Sequence, residues 1–155
     1  MKKLLSLVII VVGIIADQVF KNWVVANIQL GDTKKIWPDV LSLTYIKNDG
    51  AAWSSFSGQQ WFFLVLTPIV LIVALWFLWK KMGQNWYFAG LTLIIAGALG
   101  NFIDRVRQGF VVDMFDFRLI HFPVFNVADI FICAGGVLFV LYFMFQHKET
   151  SEAEK

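Results

Sequence analysis

The chain has 155 residues, of which 59% are hydrophobic, 17% aromatic and only 15% charged, with a mean hydropathy of +0.69. That balance excludes a soluble globular domain, since ordinary domains carry about 25% charged residues. The net charge of +2 comes from basic residues scattered singly and in pairs. A nucleic-acid partner, which needs a basic patch, is therefore excluded as well.

Four apolar runs, at about residues 4–26, 61–79, 86–103 and 123–145, are each long enough to cross a hydrocarbon core that takes roughly 20 helical residues. They lack the alternation of a membrane barrel, so the expected fold is all-α: one domain, 1–155, built as a bundle of four transmembrane helices. Trp61, Trp79 and Trp86 stand at span ends, where indoles favour the interface, and Lys80 and Lys81 close the second span. The first run, preceded by Met-Lys-Lys and containing Ala16, has the outline of a secretory leader. Ile14 is bulky for a cleavage motif and apolar character resumes through Val25, so the run reads as a retained span.

An even number of spans puts both termini and the Lys80–Asn85 connection on one side, and both longer loops, about 27–60 and 104–122, on the other. Lysines and arginines divide evenly between the sides, but Lys2, Lys3, Lys80 and Lys81 crowd short segments at span ends, which favours cytoplasmic termini. In the first outer loop Leu41-Ser-Leu-Thr-Tyr-Ile46 alternates and is followed by the turn signal Asn48-Asp-Gly. A small extracytoplasmic β-rich subdomain is expected there. The second, aromatic around Asp113 and Asp116, should hug the bilayer surface. Pro68 reads as a tolerated kink, and the acidic end, about 147–155, reads as a disordered, solvated tail.

This topology gathers nearly every unusual polar residue at one membrane face. Asp17 and Lys21 are an i,i+4 pair near the outer end of span one, suited to a mutual ion pair or to substrate contact. Asn101, Asp104 and Arg105 end span three at i, i+3 and i+4, as a polar shelf. Asn126 and Asp129 are i,i+3 at the start of span four, roughly 9 Å past Pro123 at the outside. Asp113 lies in the second outer loop. Ionisable groups at such depth cost about 2.5–3.5 kcal/mol on insertion scales and are functional suspects.

Two carboxylates held close in a low-dielectric site share one proton, which is the apparatus of an aspartic protease: one activates water while the other polarises the scissile carbonyl. Asp113 and Asp129 are the candidate pair. That chemistry needs no metal and no cofactor. Competing mechanisms lack parts: His121 and His147 fall on opposite sides, Cys133 is the only cysteine, and no serine stands beside an inward base. Asp113 and Asp116 could hold a hard cation with a phosphate, but the longer motif of membrane phosphotransferases is missing. A channel or proton-coupled transporter would also use intramembrane aspartates, yet the inner half of the spans is almost wholly apolar. An assembly factor whose carboxylates only pair with Lys21 and Arg105 remains open at this level.

Five segments in order carry a resemblance: Asp17-Gln-Val-Phe-Lys21, Asn48-Asp-Gly-Ala-Ala-Trp53, Gly97-Ala-Leu-Gly-Asn-Phe-Ile-Asp-Arg105, Val111-Val-Asp-Met-Phe-Asp-Phe117 and Phe125-Asn-Val-Ala-Asp129. Together they resemble the lipoprotein signal peptidases, the type II signal peptidase family, over nearly the whole chain. The resemblance implies an aspartic endopeptidase of the bacterial cytoplasmic membrane, with cytoplasmic termini and its site toward the outer face; a monomer is expected. Its substrates would be diacylglyceryl-modified prolipoproteins, cut before the lipidated cysteine, and its inhibitors peptide antibiotics. It matches Asp113 and Asp129 to the catalytic aspartates, and Asp17, Lys21, Asn48, Asn101, Arg105 and Asn126 to positions that hold the site or contact substrate. Trp53, where Phe is usual, and Ala96, where Gly is frequent, depart from the pattern away from the pair.

Overall fold

The computed structural model describes residues 2–50, 55–80, 85–120 and 122–153. Ala51, Ala52, Trp53, Lys81, His121 and Lys155, which the sequence singles out, lie outside the described residues. Four long helices carry the chain: α1 (Lys2–Asn27), α2 (Gln60–Lys80), α3 (Asn85–Gln108) and α4 (Val127–Ala153). Each is long and apolar enough to cross a membrane, with the apolar part of α4 ending at Phe145. Three strands, β1 (Thr33–Trp37), β2 (Leu41–Asn48) and β3 (Val111–Phe117), form one antiparallel sheet in that order.

Two helix boundaries differ from the sequence expectation in ways that matter to the site. Helix α3 runs to Gln108 rather than about 103, because Arg105 and Arg107 in its last turn suit the negative end of the helix dipole. Gly109, at φ 86°, then supplies the left-handed stop and donates its N–H to the Arg105 carbonyl. Helix α4 starts at Val127 rather than about 123: Phe125 instead bridges to Phe115 at the edge of β3. Asn126 caps the helix, its Oδ1 accepting from Asp129 N (2.9 Å) while Asp129 Oδ2 accepts from Asn126 N (3.0 Å), a reciprocal capping box. At its far end α4 continues to Ala153, so residues 147–153 are helical rather than a disordered tail; Lys, Glu and Ala there are good helix formers and no breaker intervenes.

The first long loop forms the expected hairpin, and the second long loop adds β3 to it as a third strand. Pairing of β2 with β3 slips by one residue between Leu43 and Ile46, a bulge. Because strand side chains alternate faces, that slip turns Ile46 and Asn48 onto the face that carries Asp113 and Phe115.

Helix α3 is the hub, packing against α1, α2 and α4. Of its membrane window 56% is buried, against 17–22% for the other three helices, whose remaining apolar surface is left for lipid. An apolar cluster around Leu78, Tyr87, Leu91 and Ile95 fills the end of the bundle toward the termini. A second, with Val24, Leu43, Val112 and Met114, seats the sheet on the end of α1. Between the two lies a buried polar layer containing Asp17, Lys21, Asn101, Asp104, Asp113 and Asn126.

Contact between α3 and α4 is backbone on backbone. A Cβ on Gly90 would come 2.8 Å from the Gly135 carbonyl, and one on Gly135 would come 2.6 Å from that of Gly90. A Cβ on Gly97 would overlap the Ala128 carbonyl, one residue before Asp129. Small residues let helices approach this closely in lipid, where no hydrophobic drive brings them together. Gly97→Ala should therefore cost about 1–3 kcal/mol of overpacking, while Gly136→Ala, with open space around it, should be neutral. Thermal unfolding in detergent checks this; equal midpoints for the two variants would show that the interface is not closely packed.

Candidate active site

Asp113 sits in the middle of β3 with 3% of its surface exposed, and Asp129 sits in the first turn of α4. All four of their carboxylate oxygens are engaged. Asn126 Nδ2 donates to Asp113 Oδ1 (2.6 Å) and Asn48 Nδ2 donates to Asp113 Oδ2 (2.8 Å). Asn101 Nδ2 donates to Asp129 Oδ1 (2.8 Å), and Asp129 Oδ2 takes the capping bond from Asn126 N. Asn126, itself fully buried, thus binds both carboxyls, one through its side chain and one through its backbone. Asn48 is held in turn by its own turn, Oδ1 accepting from Gly50 N (2.9 Å).

Behind this layer lies a buried ion cluster. The Lys21 ammonium reaches Asp17 Oδ2 (2.8 Å), Asp104 Oδ2 (3.1 Å) and Asn101 Oδ1 (2.9 Å), three acceptors for its three hydrogens. The bond from Lys21 fixes the Asn101 amide with its oxygen inward, so that its nitrogen faces Asp129. Asp17 Oδ1 accepts from Ala128 N (2.9 Å), and Asp104 Oδ2 accepts from Val112 N (3.1 Å). Gly100 leaves the room that Asp17 fills: a Cβ there would lie 2.7 Å from Asp17 Oδ2.

Arg105 spans the rim. Its Nη2 donates to the Gly50 carbonyl (2.7 Å), Nη1 makes a longer bond to the Asn101 carbonyl (3.4 Å), and the guanidinium lies 4.5 Å from the Phe63 ring centre. Cation–π contact of this kind is worth about 0.5–1 kcal/mol where the pair is partly exposed. Gln60 Nε2 anchors the same turn by donating to the Arg105 carbonyl (2.8 Å).

Asp113, Asp129, Asn48, Asn101, Arg105 and Asn126 line one end of a cavity of about 840 Å³. Its remaining walls are mostly apolar and come from α2 (Leu66, Val70), α3 (Ile94, Ala98), the segment Phe122–Phe125 and α4 (Ala134, Val137), so it lies between α2 and α4 on the flank of α3. Burial first, and then the negative charge of Asp129, pushes the Asp113 carboxyl up to about 7; the bonds from Asn48 and Asn126 and the Lys21 charge pull the other way.

All eight residues chosen from the sequence come together here, six on the cavity wall and Asp17 and Lys21 in the cluster behind it. The Asp17–Lys21 pair forms as its helical spacing predicts. Asp116 does not join Asp113: its Oδ2 is taken by Arg118 (2.6 Å) and Thr44 (2.8 Å) on another part of the sheet. Phe63 and Gln60 were not legible, since an aromatic and an amide at the start of an apolar span carry no distinguishing signal. Asp104 and Gln18 were visible as polar residues at span ends, but not as parts of one cluster.

The family model for signal peptidase (SPase) II matches residues 9–145. A lipoprotein signal peptidase of Lactococcus lactis subsp. cremoris (strain MG1363) is 90% identical over 138 residues, 89% of this chain and 92% of that protein. One from Streptococcus pneumoniae (strain ATCC BAA-255 / R6) is 48% identical over 141 residues, covering 90% and 92%. Among solved structures, a bacterial membrane enzyme determined by the in meso method at 2.3 Å superposes with a TM-score of 0.87 at 37% identity, over 95% of this chain and 90% of that one. A second, at 1.9 Å, gives 0.81 at 38% identity, over 89% and 91%. With its five motifs converging on one site and its fold shared with these enzymes, the chain belongs to the signal peptidase II family.

Proposed function

We propose that the chain is an aspartic endopeptidase that removes signal peptides from diacylglyceryl-modified prolipoproteins, with Asp113 and Asp129 as its catalytic dyad. The observation that carries this reading is Asn126, whose side chain and backbone bind one carboxyl each and so hold the pair as a unit. Relatives named as lipoprotein signal peptidases supply the substrate class.

With its carboxyl pushed up to about 7, Asp113 is about half protonated at neutral pH and carries the proton below it. It donates that proton to the scissile carbonyl oxygen while Asp129, ionised, takes one from the attacking water. A tetrahedral diol results without any covalent bond to the enzyme. As it collapses, the C–N bond breaks, the cysteine nitrogen leaves with a proton from the dyad, and the new carboxyl ends the signal peptide.

The apolar wall of the cavity runs along α4 from Asp129 to Val137, about 12 Å at helical rise, which suits the apolar stretch of a signal peptide. Lys2, Lys3 and Lys80 lie at the opposite end of the bundle and favour a cytoplasmic setting for the termini. The dyad then faces the outer leaflet, where a diacylated substrate is already anchored and loses less entropy on binding. Asn101 and Asn126 orient the dyad, Asn48 holds Asp113, Asp17 and Lys21 fix the backbone behind it, and Arg105 meets the substrate at the rim. Peptide antibiotics of the family would compete for the same cavity.

Asp113→Asn and Asp129→Asn should each lower turnover of a lipidated precursor by about 10²–10⁴-fold while the protein inserts and folds normally. Near-normal turnover in either variant contradicts the proposal. A second outcome concerns stability. The raised pKa of Asp113 means that folding takes up a proton between pH 3.8 and about 7, so its contribution is complete below that window and lost as pH rises through about 7. Thermal midpoints should therefore fall from about pH 5 to about pH 8 more steeply in the unsubstituted chain than in Asp113→Asn; parallel slopes would contradict the shift.

A further inference from the structure

We infer that Asp104 and Gln18 are positioning residues for the dyad, acting on Asp113 through the backbone N–H of Val112. This rests on the dyad reading above and adds two residues that the reading does not use.

The geometry is paired. Asp17 holds the N–H of Ala128, the residue immediately before Asp129, and Asp104 holds the N–H of Val112, the residue immediately before Asp113. Both carboxylates close on the same Lys21 ammonium. Each proposed catalytic side chain therefore leaves the backbone one residue after a buried carboxylate has pinned it, and one cation fixes the two pins relative to each other. The separation of the dyad depends on where β3 stands relative to α4, and Asp104 is the side chain that ties β3 to α3 at this point.

Gln18 sets Asp104 in turn. Its Nε2 donates to Asp104 Oδ1 (2.8 Å) and to the Gly100 carbonyl (3.2 Å), with a longer contact to Asp17 Oδ2 (3.3 Å). With Oδ1 taken by Gln18, Asp104 Oδ2 is left to serve Lys21 and Val112 together. Every lone-pair direction in this arrangement calls for a donor, so an amide at residue 104 would put N–H against N–H on one side. Neither Gln18 nor Asp104 lines the cavity, so neither meets substrate. Their removal should change the chemical step and leave binding alone.

The test is steady-state cleavage of a lipidated precursor by Gln18→Met, Asp104→Asn and the double variant, expressed per folded enzyme, with Asp113→Asn alongside. Asp104→Asn should lower kcat by between about tenfold and 10²-fold, the cost of misplacing a reacting group by roughly an ångström, with KM within about twofold. Gln18→Met, which keeps the ion cluster intact, should lower kcat roughly fivefold, and the double variant should be no slower than Asp104→Asn alone, because coupled residues are not additive. A purely structural role would instead reduce the folded fraction and leave kcat per folded enzyme unchanged. That result, or a loss confined to KM, overturns the inference; if Asp104→Asn does not fold, Gln18→Met decides it by the same criteria. Retained turnover in Asp113→Asn would sink the dyad reading itself, whereas an inactive Asp113→Asn beside a full-speed Gln18→Met sinks only this inference.

Discussion

The buried ammonium of Lys21 is the constraint on which the site depends. A single cation with 3% of its side chain exposed, surrounded by Asp17, Asp104 and Asn101, stands at the end of the bundle that carries the sheet. An unpaired charge in that setting would be intolerable, and removing one partner from such a cluster costs about 3–5 kcal/mol because it strands the other. The cluster therefore admits one arrangement of α1 and α3, and through Ala128 N and Val112 N it transmits that arrangement to α4 and β3. A bundle held only by lipid-like packing would have no comparable means of fixing a strand and a helix end relative to each other.

Close packing of α3 on α4 serves the same end by different physics. Reciprocal glycines at 90 and 135 bring the backbones together, and Gly97 and Gly100 let the first turn of α4 and the Asp17 carboxylate settle against α3. On the opposite flank α2 leaves a cavity whose walls are apolar and whose end is polar. Reactive groups and lipid-like surface thus meet along one line. That arrangement suits the proposed reaction on a peptide bond next to a membrane anchor, and burial raises the proton affinity of Asp113 at its polar end.

Helical periodicity made part of the site readable from the chain alone. Asp17 with Lys21 and Asn126 with Asp129 follow from i,i+4 and i,i+3 spacing once the spans are recognised, and the sidedness of four spans gathers them. The contacts across the sheet were not readable. Asn48 reaches Asp113 only because the pairing of β2 with β3 slips between Leu43 and Ile46, and a one-residue slip leaves no mark in composition. The extension of α3 to Gln108 was hidden for a related reason: hydropathy ends near Ile103, while the helix is continued by charged residues that cap it. Asp104 consequently reads from the sequence as part of a polar shelf at the end of span three, and its bond across to the backbone of β3 is visible only in the structure.

The central claim is that Asp113 and Asp129 form one proton-sharing unit, with the proton on Asp113 near neutral pH. Infrared difference spectroscopy of the detergent-solubilised protein tests it most directly, because a protonated carboxyl has a C=O stretch that a carboxylate lacks. The account predicts a component of that band that persists between about pH 5.5 and pH 7, above the range of ordinary carboxyls, fades as pH rises through about 7, and is lost in Asp113→Asn. A spectrum with no protonated carboxyl in that range, or the same band undiminished in Asp113→Asn, would contradict it.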